Sequence, residues 1–187
     1  MPSPNAEPFK VWLAKLGRQE VDNVFDPSKE IDTMIDYYLK KGYTLEWIEA
    51  RIKAIIDREK LTKVWNENGI NENYEFGILT NEIYQSWSGM TASEYKKHRG
   101  IRKESLRDNM TDMEVALTDL GEIATRELAR KFKPYGLEQN KKIARRGGNI
   151  AKRTRNNLEQ ELGETVISSS NSLSYQYNKD DMKQIKN

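Results

Sequence analysis

The sequence predicts an all-α protein: a multi-helix bundle with two long C-terminal helices and a disordered C-terminal tail. Two observations predict this class. Apolar residues recur at helical spacing along most of the chain, and proline, glycine and capping residues mark where these segments begin and end. With 187 residues the chain is long enough for about one domain.

The first two helices are predicted from apolar stripes and from the residues that bound them. One covers about residues 5–16 and ends at Gly17, which suits the left-handed C′ position. The other follows Asp26-Pro27, a favourable N-cap and N1 pair, and ends at Gly42. Their stripes are Phe9, Trp12, Leu13 and Leu16, and Ile31, Met34, Ile35, Tyr38 and Leu39.

A third helix is predicted from its N-cap, Thr44, to about Lys60. Arg51 and Arg58 lie seven residues apart on it and therefore face one direction. Its buried face is expected to carry Ile48, Ile52, Ile55 and Ile56.

Shorter helices are expected in the middle of the chain. One covers residues 62–69, and after a loop another covers residues 80–89. Thr91 and Glu94 then form a capping box, in which a hydroxyl and a carboxylate three residues apart satisfy the first backbone N–H groups.

The two long helices come last. Thr111 and Glu114 form a second capping box, and the helix that they open runs to about Phe132. After a Pro-Tyr-Gly turn, the last helix spans about residues 137–162 and ends at Gly163. Val166 and Ile167 are compatible with a short extended segment.

The predicted organisation is a Trp-rich helical half over residues 1–90 and a C-terminal helical half over residues 91–168. The two halves are expected to form one continuous unit, whose only plausible seam lies near Gly89 or Gly100. Residues 169–187 are polar and lack periodicity, so they are expected to be a disordered tail.

Composition limits the possible functions. The absence of cysteine excludes disulfides, thiolate nucleophiles and Cys-ligated metals, and His98 is the only histidine. No cofactor or metal motif occurs, and no Ser or Thr lies in a recognisable catalytic arrangement, so we expect a protein that is not an enzyme. With neither a secretory signal nor an apolar membrane span, it is expected to be cytoplasmic.

Charge points to a local site and to self-association. The 31 basic and 29 acidic residues give a net charge of +2, too close to neutral for the whole chain to act as a nucleic-acid polyelectrolyte. With 32% charged residues and long helices, a homo-oligomer is expected, partly through the helices at 111–132 and 137–162.

The most unusual local feature is a basic segment in the last predicted helix, which runs from Lys141 to Arg155 with no acidic residue until Glu159. On a helix its cations fall on adjoining faces, while apolar residues line another face. Two hypotheses stand: the segment binds phosphate or an acidic partner, or it is a solvated face balanced by carboxylates on a neighbouring helix. The candidate binding residues are Lys141, Lys142, Arg145, Arg146, Lys152, Arg153 and Arg155.

Gly147 and Gly148 lie inside the same helix, where each costs about 1 kcal/mol relative to alanine. Either another helix or a ligand backbone approaches closely there, or the helix is kinked or broken. The four tryptophans are expected mainly in the core, with base stacking as the alternative. We interpret His98 as a surface residue.

Several phrases, taken in order, resemble one protein family. They include PSPNAEPFKVWLAKLG at 2–17, LTKVW at 61–65, SGMTASEYKKHRGI at 88–101, LRDNMTDMEVAL at 106–117 and NLEQELGETVISSSN at 157–171. Together they resemble the phage antirepressor family that carries a Bro-type N-terminal domain, related to the DNA-damage-inducible D protein of bacteria. The relatives usually place that domain ahead of the first phrase, so the chain looks like the C-terminal part of a longer protein or like a truncated relative.

The resemblance implies regulation through protein contacts, and sometimes DNA. It favours a protein that binds a repressor or a DNA-damage-response protein, such as a recombinase, and relieves repression. The alternative is a protein that binds nucleic acid or a recombinase filament through the basic helix at 141–155. The resemblance implies no catalytic residue.

Overall fold

A computed structural model describes residues 28–170 and, ahead of them, Val11, Ala14, Lys15 and Arg18. These four residues are helical and exposed. The rest of the first predicted helix, at 5–16, lies outside the described residues. The same holds for the predicted tail beyond residue 170.

The described part of the chain is all-helical, with no strand, which confirms the predicted fold class. A 3-10 turn, Arg107–Asn109, precedes the two longest C-terminal helices. The helices are α1 (Ser28–Lys40), α2 (Leu45–Glu67), α3 (Asn73–Ser88), α4 (Ala92–His98), α5 (Asp112–Phe132) and α6 (Gly136–Leu162).

Most predicted helix ends are confirmed. Thr91 and Thr111 each accept a hydrogen bond from the backbone N–H three residues on, and a glutamate closes each capping box. Thr44 accepts from the N–H of Trp47 at 3.2 Å. At the C-terminal end of α6, Gly163 has a left-handed φ of 72°, which a residue with a side chain would disfavour.

The middle of the chain differs from the prediction. α2 is one helix to Glu67 and includes the segment predicted separately at 62–69. The hydroxyl of Thr62 donates to the carbonyl of Arg58 at 3.0 Å and does not cap a new helix. α3 begins at Asn73, seven residues earlier than predicted, because a capping box between Glu72 and Glu75 opens it.

The predicted buried face of α2 is partly wrong. Ile48 is buried, but Ile55 and Ile56 are 40% and 48% exposed. Instead, Ala54 and Leu61 enter the core. The face shifts because the next turns of α2 use their inward side for ion pairs with later parts of the chain, described below.

The chain divides into two compact units, Met1–Ile48 and Glu49–Asn187. In the first unit, the rings of Tyr43 and Trp47 stack with centroids 4.0 Å apart, and Tyr38 meets Tyr43 edge-on at 5.5 Å. The sequence predicts a boundary between two halves near Gly89 or Gly100, and both residues lie inside the second unit.

In the second unit, α5 and α6 pack along each other, α3 packs against both, and α4 contacts α3. Their shared core is aromatic and aliphatic. Its fully buried members include Trp65, Leu79, Ile83, Trp87 and Tyr95.

The segment after α6 returns to this core. Val166 and Ile167 are half-buried against it, without forming a strand. The N–H of Ser168 donates to Glu114 at 2.9 Å, and the carbonyl of Ser170 accepts from Arg99. The predicted tail therefore begins with residues that are held in place. Within the described ranges, no helix is both long and apolar enough to cross a membrane.

Candidate functional site

The basic segment lies on α6, whose start is fixed by buried polar contacts. The side-chain amide of Asn140, which is fully buried, donates to the carbonyls of Pro134 at 3.3 Å and Gly136 at 2.9 Å. The N–H of Gly136 donates to the carbonyl of Asn68, on the turn after α2, at 2.9 Å. These bonds tie the first turn of α6 to the rest of the second unit.

Gly147 and Gly148 let two other helices approach α6. A Cβ at Gly147 would overlap the hydroxyl of Thr125 and lie 2.8 Å from the carbonyl oxygen of Gly121, both on α5. A Cβ at Gly148 would lie 2.7 Å from the carbonyl oxygen of Ile83 on α3. The approach therefore comes from helix backbones of this chain, and α6 runs through the pair without a break.

This packing determines which side of α6 faces outward. The inner side is apolar or small and is buried against α3 and α5. It consists of Ile143, Ala144, Gly147, Gly148 and Ala151. The seven cations of the basic segment lie on the remaining surface, in two groups that differ in their partners.

The first group is balanced by carboxylates. Arg145 makes a two-pronged ion pair with Glu82 of α3, with N–O distances of 2.6 and 3.0 Å. This hydrogen bonding raises the pKa of the Arg145 guanidinium. Lys141 lies 3.1 Å from Glu138 and 4.0 Å from Glu82. The pairing of Arg145 with Glu82 matches the hypothesis of a face balanced by a neighbouring helix, while the near partner of Lys141 is on α6 itself.

Arg155 also belongs to the balanced group. Its Nε lies 3.4 Å from a carboxylate oxygen of Glu159, one turn further along α6. Three of the seven candidate residues therefore have an acidic neighbour in the chain.

The second group is exposed and has no carboxylate within 4.0 Å among the described residues. We call it the outer basic face; it consists of Lys142, Arg146, Lys152 and Arg153. Positions 142, 146 and 153 fall in one stripe, about 16 Å long at 1.5 Å per residue, and 152 flanks it.

An aromatic ring borders the outer basic face. Phe132, the last residue of α5, is 51% exposed. The guanidinium carbon of Arg146 lies 4.5 Å from the centre of its ring, and the ammonium of Lys131 lies 5.8 Å from it. Both are cation–π distances, so the ring helps to hold Arg146 in place.

The other candidate side chains lie elsewhere. Trp65 and Trp87 are fully buried and Trp47 is 5% exposed, so the described tryptophans are core residues and do not offer faces for base stacking. Trp12 lies outside the described residues. His98 is exposed at the end of α4, as predicted. Across residues 28–170 no group of three or more His, Asp or Glu side chains could hold a metal.

Two polar clusters were not predicted from the sequence. In one, Glu114 is fully buried and accepts from Tyr95, Thr111, Ser168 and Arg99. Burial is the main cause that raises the pKa of the Tyr95 hydroxyl, and the nearby carboxylate adds to it.

The other cluster gathers three arginines. Arg51 and Arg58, which the sequence placed on one side of a helix, meet Arg107 of the 3-10 turn around a cavity of about 300 Å³. The seven-residue spacing was a signal for the first two. The third comes from a distant part of the chain, so the sequence carried no signal for it.

Comparisons with known proteins give one distant similarity. No family model matches the sequence. The chain is similar to the response regulator ArlR of Staphylococcus haemolyticus, at 25% identity over 138 residues. The match covers 68% of this chain and 62% of that protein, so the chain spans less than two thirds of this relative's length.

Proposed function

We propose that this chain is a non-enzymatic regulatory protein of the prophage-antirepressor type that its sequence resembles. In this proposal it binds an acidic surface of a repressor or of a DNA-damage-response protein through the outer basic face, and thereby relieves repression. The observation that carries the proposal is the set of four exposed cations that have no carboxylate within 4.0 Å in the described part of the chain and lie on a rigidly held helix.

The electrostatics of α6 favour an external acidic partner. Arg145 is already paired with Glu82 and Lys141 with Glu138, whereas the four cations of the outer basic face repel one another. A partner that brings carboxylates relieves this repulsion, and such charge complementarity chiefly accelerates association and gives specificity.

The neighbourhood of Phe132 favours a protein partner. Arginine and aromatic side chains are enriched among the residues that dominate binding energy at protein interfaces. Here Arg146 is already held over an exposed Phe132 ring, so less side-chain freedom is lost on binding.

Relief of repression follows from a population shift. A protein that binds only the DNA-free form of a repressor draws the repressor off its operator. To move that equilibrium from about 1:99 to 99:1, it needs about 5.5 kcal/mol of differential affinity. The similarity to a protein named a response regulator is consistent with a regulatory role.

Nucleic-acid binding is the second candidate, and the same face carries it. Three cations in one stripe about 16 Å long can follow a run of phosphates. Four neutralised phosphates would make the logarithm of the DNA affinity fall with the logarithm of salt concentration at a slope of about −3.6.

A capture experiment separates the two candidates. The tagged chain is used to capture proteins from a lysate of its own host, and half of the lysate is treated with nuclease. A repressor or recombinase retained in the treated half supports the protein-binding proposal. Proteins retained only in the untreated half show that nucleic acid is the bridge, which supports the second candidate.

A further inference from the structure

A cavity lies between α2, α3 and the 3-10 turn. Three guanidinium groups face it, and its other walls are an isoleucine, a threonine and a tyrosine. Its volume is about 300 Å³, at the lower end of the range for small-molecule sites. The lining residues are Arg51, Ile55, Arg58, Thr80, Tyr84 and Arg107.

The arginines are held by fixed partners. Arg51 donates through Nε to Asp108 at 2.8 Å. Arg58 donates to Thr80 at 2.5 Å and to Glu122 at 3.0 Å. These contacts fix two of the guanidinium planes at the wall of the cavity.

Arg107 completes the set. It donates through Nε to the hydroxyl of Tyr84 at 3.2 Å and through a terminal nitrogen to Glu122. The side chain of Arg107 is 13% exposed, and that of Arg51 is exposed to the same extent. All three arginines are therefore positioned before any ligand arrives.

Donors remain unused at the cavity. Arg51 donates only through Nε, so its two terminal nitrogens make no hydrogen bond to the described residues. One terminal nitrogen of Arg107 likewise makes no hydrogen bond to them. Arg58 and Arg107 share a single oxygen, Glu122 Oε1. Protein acceptors therefore leave part of the donor capacity open.

The charges around the cavity leave a positive excess. Arg51, Arg58 and Arg107 meet two carboxylates, those of Asp108 and Glu122. A third carboxylate, Asp119, interacts electrostatically with Arg107, and it also lies 3.9 Å from the ammonium of Lys53. Because the three guanidinium groups outnumber the two carboxylates bonded to them, an anion that enters the open space reduces the remaining repulsion between them.

From this geometry we propose that the cavity binds a phosphate group, either free or carried by a small ester. Guanidinium groups present planar forks of N–H donors that match phosphate oxygens, and several forks can serve one phosphate from different sides. Ile55 and the ring of Tyr84 offer an apolar wall for the organic part of an ester. The site shares no residue with the outer basic face of α6.

Calorimetric titration of the full chain tests the proposal, with inorganic phosphate and phenyl phosphate as probes at constant ionic strength. We expect at least one probe to bind, and Arg51→Gln to weaken its binding about tenfold, because one charged fork is lost. Tighter binding of phenyl phosphate supports an ester as the source, and equal binding supports free phosphate.

A second variant distinguishes the loss of a phosphate contact from unfolding of the protein. Asp108→Asn removes a negative charge beside Arg51, so it should strengthen phosphate binding, which unfolding cannot do. Arg130→Gln, which removes an exposed arginine outside the cavity, should leave phosphate binding unchanged.

Three results would overturn the proposal. The first is that neither probe binds the unmodified chain, and the second is that Arg51→Gln binds phosphate as tightly as the unmodified chain does. The third is that Arg146→Gln loses phosphate binding while Arg51→Gln keeps it, which would place the anion on the outer basic face.

Discussion

At the scale of single residues, Gly147 has the clearest structural role. In Gly147→Ala the new Cβ would overlap the Thr125 hydroxyl and approach the Gly121 carbonyl oxygen to 2.8 Å. Backbone atoms cannot yield as a flexible side chain can, so we expect the free energy of unfolding to fall by about 3 kcal/mol. Denaturant unfolding measures the change.

Gly77 is the matched control. It also lies inside a helix, but an added Cβ would meet no atom within 4 Å. Gly77→Ala should raise the free energy of unfolding by about 0.5–1 kcal/mol, because alanine is the better helix former. Equal effects of the two substitutions would contradict the close approach of α5 to α6.

Two buried aspartates are expected to influence stability with opposite pH dependence. Burial, with Asp57 and Glu122 nearby, raises the pKa of Asp119 above its ordinary 3.8. Its contribution to stability is therefore most favourable below about pH 3.8 and is lost as pH rises through the folded-state pKa. The hydrogen bond from Arg126 lowers the pKa of Asp57, so Asp57 stabilises above its ordinary pKa and this is lost on acidification.

Paired substitutions test these signs. From about pH 4 to about pH 7, Asp119→Asn should gain stability relative to the unmodified chain, whereas Asp57→Asn should lose it from about pH 2 to about pH 4. Urea unfolding across the two ranges gives both differences. The same slope for both variants would contradict the opposite environments of the two carboxyl groups.

Residue partners show where sequence reasoning stops. The basic segment was visible in the sequence, but Glu82, which neutralises Arg145, lies 63 positions away. Likewise Arg51 and Arg58 were placed on one side of a helix by spacing alone, while Arg107 joins them only through tertiary packing. Local spacing predicts which side chains share a helix face. It does not predict which of these charged side chains forms an ion pair with a residue far away in the sequence.

At the scale of elements, the start of α5 also anchors the segment after α6. Glu114→Ala should cost about 3–5 kcal/mol, since it leaves the buried Arg99 without its carboxylate. It also removes the acceptor for the N–H of Ser168. Hydrogen exchange should therefore speed up in residues 164–170.

The capping box of α4 offers the control for this prediction. Glu94 has the same role there, but it is exposed and bonded only to Thr91 and its neighbours. Glu94→Ala should lower the free energy of unfolding far less than Glu114→Ala does and leave exchange at 164–170 unchanged. If Glu94→Ala speeds exchange at 164–170 as much as Glu114→Ala does, the buried cluster does not anchor the segment.

Helix ends were predictable where one local interaction decides them. Thr91 and Thr111 precede a glutamate by three residues, and each caps a helix as expected. The sequence also predicts helices that begin at Thr62 and Thr80, yet the hydroxyls of both residues donate to carbonyls four residues back, at 3.0 and 2.6 Å. A threonine can do either, and burial of the surrounding helix decides between them.

At the scale of the whole molecule, self-association is still a prediction. Apolar side chains are exposed at the ends of the two long helices, where Phe132 is 51% and Leu162 is 55% exposed. We expect a dimer or a larger homo-oligomer, because burial of such groups favours association. Light scattering at tens of micromolar should give at least twice the mass of the 21.8 kDa chain. A monomeric mass would contradict this prediction.

The most direct test of the central claim is capture from nuclease-treated host lysate with charge variants of α6. Arg146→Gln combined with Arg153→Gln should abolish retention of the repressor or damage-response partner. Arg102→Gln combined with Lys103→Gln removes the same charge from exposed positions elsewhere and should retain the partner. If the α6 variant retains the partner as well as the control does, the outer basic face is not the binding surface.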